Sequence, residues 1–179
     1  MCQVRFIGCL HLGHKWMAQH RGFNDEIHHD EHLIDMWNRT VGKKDLTYIL
    51  GDVGMESDKQ YHQLDKLKGR KIVILGNHCL PRHVRTMLKY VESVAGMVDY
   101  KGFILTHCPI HPMEIGSCRG NIHAHIHENK LIEYCANKLY HDDTSQIETL
   151  NKYYNVDAKL IDFKPKTIEE LINESNTKI

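Results

Sequence analysis

At 179 residues the chain has the length of one ordinary domain, enough to bury about two thirds of its unfolded surface. Its 23 Lys and Arg balance 23 Asp and Glu, and a pI near 7.3 leaves no global field to draw it to nucleic acid or lipid. Neither a membrane-spanning apolar run nor a secretory-signal layout is present, and six irregularly spaced cysteines without a CxxC suit free thiols, so a cytoplasmic protein is expected.

Residues 3–8 form a compact strand candidate that runs straight into Cys9-Leu-His11-Leu-Gly-His14. Over 30–41 the apolar positions Leu33, Ile34, Met36, Trp37 and Val41 follow the helical period, with Asp30 available as a cap. Residues 46–50 are the next strand, ended by Gly51-Asp52. Tyr61, Leu64 and Leu67 share a helical face ahead of a third strand over 71–75, which stops at Gly76-Asn77-His78. Residues 82–92 suit a short helix. Strands over 98–100 and 103–106 flank a turn at Lys101-Gly102 as a hairpin, the second ending at His107. Residues 121–126 alternate, with His123 and His125 on one face and Ile122, Ala124 and Ile126 on the other. Helical character returns at 128–139, residues 141–151 read as a surface excursion, and 153–158 as a late edge strand. Thr167-Ile168-Glu169-Glu170 fits a capping box opening a terminal helix with Ile168, Leu171 and Ile172 inward. With no repeat and no linker, residues 1–179 read as a single domain of layered α/β type, parallel in its first pairs and antiparallel later. In such sheets ligands gather outside the carboxyl ends of the strands.

Cys9, His11, Asp52, Asn77, His78, His107, His123 and His125 all stand at such ends. Thiolate, imidazole and carboxylate are good ligands for transition metals at neutral pH. Turn chemistry after glycine accounts for Asp52 or Asn77 taken alone. It does not explain four histidines at equivalent places, so the pattern points to one shared site and a two-metal hydrolase.

The ordered blocks Cys9-Leu-His11-Leu-Gly-His14, Gly51-Asp52, Gly76-Asn77-His78, Thr106-His107 and His123-Ala-His125 resemble the calcineurin-like metallophosphoesterases, most closely their small bacterial and phage members. The resemblance runs over about residues 3–126, and Tyr154-Asn155-Val156-Asp157 with the terminal IEEL segment is similar to that subgroup's ending. It implies a four-layer α+β sandwich of two packed mixed sheets flanked by helices. It also implies one metal on Cys9, His11, Asp52 and His125 and a second on Asp52, Asn77, His107 and His123, with a hydroxide bridging them as nucleophile. Asp52 would be shared, His78 would be the catalytic acid, and Asn77, His78 and His14 would meet the substrate. For a phage protein the compartment would be the host-cell cytoplasm.

Three departures from the family pattern stand out: Cys9 in place of Asp, Cys79 in place of the Asp after the Asn-His pair, and no glycine before His123. A thiolate at Cys9 favours Zn or Fe over Mn. The implied activity is hydrolysis of a small phosphodiester, nucleotide-like, with no duplex-binding stripe and no membrane partner. Phosphomonoesterase, protein phosphatase, nuclease and a degenerate metal- or nucleotide-binding protein stay open, as does homo-oligomerisation. The remaining residues have plainer readings: His28, His29 and His32 with Asp30 and Glu31 as a solvated helix start, Arg82, His83 and Arg85 as a surface patch, and Trp16 and Trp37 as packing residues.

Overall fold

The computed structural model describes residues 2–55, 57–129, 131 and 151–176. Three apolar runs, Val4–Gly8 (β1), Leu46–Leu50 (β2) and Arg70–Ile74 (β3), pair in parallel, and a short strand at Ser93–Ala95 (β4) joins β3. The spatial order β1-β2-β3-β4 repeats the chain order. Each crossover therefore turns the same way, and the right-handed rule places the connecting helices on one face. These are Lys15–His20 (α1) and Glu26–Thr40 (α2) after β1, a 3-10 turn at Tyr61–Lys66 after β2, and Pro81–His83 with Val84–Met87 (α3) after β3.

The other face is left for a second sheet. Phe6 and Tyr48 stack at 5.8 Å on that face, and both rings meet Tyr100 of the second sheet, at 5.9 and 5.7 Å. In that sheet Val98–Tyr100 (β5) and Phe103–Leu105 (β6) form the expected antiparallel hairpin. After Pro112–Ile115 (α4), Gly120–His123 (β7) and Tyr153–Asn155 (β8) add in parallel, where antiparallel pairing was expected. The two sheets meet at β1: Gly8 N donates to Val156 O at 2.8 Å, and Ala158 N returns the bond to Gly8 O at 3.0 Å. One buried apolar cluster runs through both sheets and the helices. The terminal helix Ile168–Asn176 (α5) opens on the predicted capping box, with Thr167 and Glu170 exchanging bonds of 2.7 and 3.3 Å.

Some elements differ from the sequence reading. α2 begins at Glu26 with Asp25 as its cap, its carboxylate accepting from His28 N at 2.8 Å. Asp30 instead turns inward, where it accepts from Gly13 N and Gln63 Nε2, so the His28–Asp30 stretch is not a fully solvated helix start: His29 and Asp30 are buried. The strand expected over 121–126 stops at His123, and residues 156–158 continue past β8 only as bridge partners of β1. The helix expected over 128–139 and the excursion over 141–151 lie almost wholly outside the described residues. Among the described residues no helix is long and apolar enough to cross a membrane.

Candidate metal centre

Because β1, β2 and β3 are parallel, their carboxyl ends share one edge, and each hands over to a short loop rather than a regular turn. Cys9 and His11 follow β1, Asp52 follows β2, and Asn77 and His78 follow β3. Cys9, His11 and Asp52 sit at φ 52°, 51° and 48°, the left-handed region that non-glycine residues seldom occupy. The β1 loop is fastened to the β2 loop by Cys9 N to Gly51 O, His11 N to Asp52 O and Leu12 N to Val53 O, at 2.9–3.1 Å. Glycine is required beside them: a methyl at Gly51 would lie 2.2 Å from His107 Nδ1, and one at Gly76 would lie 2.3 Å from Asp52 Oδ1. From the second sheet come His107 after β6, and His125 and His127 after β7, again with left-handed φ of 67° and 49° at the last two.

These side chains form three overlapping groups, in each of which the donor atoms lie within 4.8 Å of one another: Cys9, His11 and His127; Cys9, Asp52 and His107; and His107, Cys108 and His125. Cys9 and His107 each belong to two groups, so the donors make one continuous run. Asn77 joins through Oδ1, 2.9 Å from His107 Nε2. Of the expected residues, Cys9, His11, Asp52, His107 and His125 fall in these groups, and His127 and Cys108 join them. His127 stands where His125 was expected, beside Cys9 and His11, and His125 stands where His123 was expected, beside His107. His123 itself is buried and belongs to none of these groups, with Nδ1–H donating to Ala124 O at 2.9 Å and its ring edge-on to Tyr153. The two-residue alternation behind the His123–His125 pairing holds only inside a strand. β7 ends at His123, and the left-handed turns beyond it re-aim His125 and His127.

Ring tautomers are set by carbonyls and carboxylates. Leu50 O can only accept, so His107 donates Nδ1–H at 2.9 Å and turns Nε2 toward Asp52 Oδ2 (3.2 Å), Asn77 Oδ1 and His125 Nδ1 (3.1 Å). With Nδ1 so engaged, the Nε2 lone pair is the one a cation would take. His127 donates Nδ1–H to Asp157 at 2.7 Å, which leaves Nε2 as its free donor atom. Asp157 is held by Arg21 (3.3 Å), which also donates to Cys9 O at 2.7 Å and Leu10 O at 3.3 Å and meets His29 Nε2 at 3.0 Å. Sequence reasoning assigned no role to Arg21 or Asp157. The signal for His127 was present in the continued run His125-Ile126-His127.

His11 supplies the sharpest test of fit. It is 2% exposed, and neither ring nitrogen has a hydrogen-bond partner among the described residues. A buried unpaired polar atom costs about 1–3 kcal/mol, and a missing ion is one of the standard reasons for it. Burial, helped by the Arg21 charge, lowers its pKa to about 3, so the imidazole stays neutral and its lone pair stays available. Burial pushes the Cys9 thiol well up, and His125 N donates to its Sγ at 3.3 Å. A bound cation would reverse that and ionise the thiol. Burial alone would raise the Asp52 carboxyl, but hydrogen bonding and charge from His107 and the His78 N–H (3.0 Å) hold it below the usual carboxylate range. The donor set therefore fits metal. Beside it a cavity of about 360 Å³ is lined by His11, His14, His78 and His127, and Asn77 is exposed. Cys79 is buried.

Fold and site together define an α+β protein of two four-stranded sheets whose strand ends converge on buried His, Cys and Asp clusters able to hold metal. No protein-family model matches the chain. Its sequence is similar to the gene 66 proteins of Mycobacterium phages D29 and L5, at 40% identity over 87 residues and 41% over 83. Those segments cover 45% and 44% of this chain and only 42% and 40% of the phage proteins' length. An uncharacterized protein of Methanocaldococcus jannaschii is 27% identical over 179 aligned positions, covering 96% of this chain and 90% of that one. A crystal structure of a protein of unknown function from Aquifex aeolicus matches over the whole of both chains with a TM-score of 0.67 at 18% identity, a likeness of fold.

Proposed function

We propose that this protein is a two-metal phosphoester hydrolase of the calcineurin-like type, acting on a small phosphodiester. The observation that carries the reading is the unbroken run of donor atoms from His11 and His127, through Cys9 and Asp52, to His107 and His125. Cys9, His11, His127 and Asp52 would hold one divalent ion, and Asp52, Asn77, His107 and His125 the other. A carboxylate can span two cations where an imidazole cannot, which makes Asp52 the shared ligand. When bound, such a pair lowers the pKa of water and neutralises phosphoryl oxygens. The thiolate of Cys9 favours Zn or Fe over Mn.

The chain's own residues do the rest. Leu50 O and Asp157 fix the rings of His107 and His127 so that each offers Nε2. The His78 N–H holds Asp52 Oδ1 in place, and its ring faces the cavity 6.1 Å from His11, in position to give a proton to the departing alkoxide oxygen. His14 lines the same cavity and would meet the phosphate. A volume of about 360 Å³ suits a small ester better than a polymer.

The test is metal content of protein purified anaerobically without added metal, with turnover of bis(p-nitrophenyl) phosphate on the same sample. Two equivalents of zinc or iron with turnover are expected. One equivalent or none, with no turnover after reconstitution, would replace the enzyme by a metal- or nucleotide-binding protein.

A further inference from the structure

Trp16 is not the packing residue its sequence suggests. Trp37 is fully buried, whereas Trp16 is 61% exposed, and exposed tryptophan is uncommon enough to need a reason. It lines the same cavity as His11, His78 and His127, next to His14. Its setting is built rather than incidental. Met17 and Ala18 are buried and pin α1 to the body, so the helix presents positions 16 and 20 outward together. His20 stacks on the indole at 5.0 Å with 5° between the planes, and its Nε2 lies 3.6 Å from a Glu128 carboxylate oxygen. One face of Trp16 is thus covered by the His20 ring, and most of the residue remains open.

The spacing to the metal ligands is set by two ring-to-ring steps, 5.9 Å from His11 to His14 and 6.3 Å from His14 to Trp16. The indole therefore lies at most about 12 Å from the His11 ring, within the span from the phosphate to the base of a nucleotide. Stacking is the interaction an exposed indole offers, and every nucleobase has a face to match it.

We propose that Trp16 is a base-stacking shelf, and that the substrate class is the nucleoside phosphodiester, its base on Trp16 and its phosphate at the donor run. This rests on the phosphoesterase reading for the reaction but not for the binding. Trp16 would set specificity without touching the reacting atoms.

The test uses zinc-loaded full-length protein and two readouts. In the first, intrinsic fluorescence is titrated with AMP and with ribose 5-phosphate; the buried Trp37 reports little of the solvent side, so quenching reads Trp16. AMP should quench and ribose 5-phosphate should not, and Trp16→Phe should bind AMP but lose most of the signal. In the second, kcat/KM is compared for thymidine 5′-(p-nitrophenyl phosphate) and methyl p-nitrophenyl phosphate, which share a leaving group. Trp16→Ala should lower the ratio of the two about tenfold, mostly through KM, and Trp16→Phe should restore most of it. An unchanged ratio, or equal quenching by both phosphates, overturns the shelf. If wild type hydrolyses neither ester, the reaction reading fails, and AMP-selective quenching alone decides whether the shelf stands.

Discussion

Asp157 allows a metal-positioning role to be separated from a structural one. Its carboxylate takes His127 Nδ1–H at 2.7 Å and Arg21 at 3.3 Å, and the side chains of both Asp157 and Arg21 are 1% exposed. Asp157→Ala removes one partner of a buried pair, which typically costs about 3–5 kcal/mol. The loss should fall at the lower end of that range, because Arg21 keeps Cys9 O, Leu10 O and His29 as partners. The same change frees the His127 ring, and losing such a partner lowers metal affinity about 10–100-fold. Asp157→Asn keeps a carbonyl oxygen able to accept from His127 while removing the charge that faces Arg21. The expected order of zinc affinity is therefore wild type, then Asn about tenfold weaker, then Ala near a hundredfold weaker. Competition against a chromophoric chelator measures it, with urea unfolding of the metal-free proteins run in parallel. If all three bind zinc equally while the two variants unfold earlier, Asp157 only holds the fold and the orientation argument is wrong.

His127→Ala should lose a metal equivalent, whereas His123→Gln should keep both; the opposite result would make His123 and His125 the liganding pair. His78→Gln should cut turnover by about 10²–10⁴ while metal content stays unchanged, and equal activity would remove its proton-donor role. Cys9→Asp should move metal preference toward manganese, and an unchanged preference would take Cys9 out of the ligand set. Far from the site, the N–H groups of Gln3 (2.9 Å) and Gly42 (2.8 Å), with Arg5, hold the Asp45 carboxyl below its ordinary value of 3.8. A depressed folded-state pKa stabilises above the unfolded value and ceases to do so as pH falls through the folded one. Stability of the wild type should therefore drop below about pH 4 relative to Asp45→Asn in acid urea titrations, and parallel profiles would refute it.

The parts of the fold legible in the sequence are those where one short apolar run decides the outcome. β1, β2 and β3 are short segments, mostly apolar and closed by glycine or a polar turn, and a run of that kind in a parallel sheet leaves little choice. The hairpin at Lys101-Gly102 is local, and so is the capping box at Thr167. α1 was not legible: KWMAQH is six residues, too short to be stable alone, and it is held by the burial of Met17 and Ala18. The start of α2 was misread because Asp25 and Asp30 are equally good caps by type. The choice is tertiary, since Gly13 and Gln63 draw Asp30 inward while Ile27 is left 64% exposed.

The site shows where pattern reasoning ends for a physical reason. Its residue types were readable because metal chemistry restricts them, but their pairing was not, because it depends on backbone conformations that no periodicity encodes. Of the eight non-glycine residues with positive φ among those described, five are Cys9, His11, Asp52, His125 and His127. Each left-handed residue costs roughly 1–2 kcal/mol, so a chain selected for stability alone would not collect five in one place. They persist because the surroundings over-determine them. The β1 and β2 loops are fastened by three backbone bonds, Arg21 grips the carbonyls of Cys9 and Leu10, Ala124 N donates to His107 O, and His125 N donates to Cys9 Sγ. Left-handed turns just past parallel strand ends are also what lets short loops aim side chains from two separate sheets at one point. The strain and the convergence thus have one cause, and both mark the place where the fold gives up stability for a site.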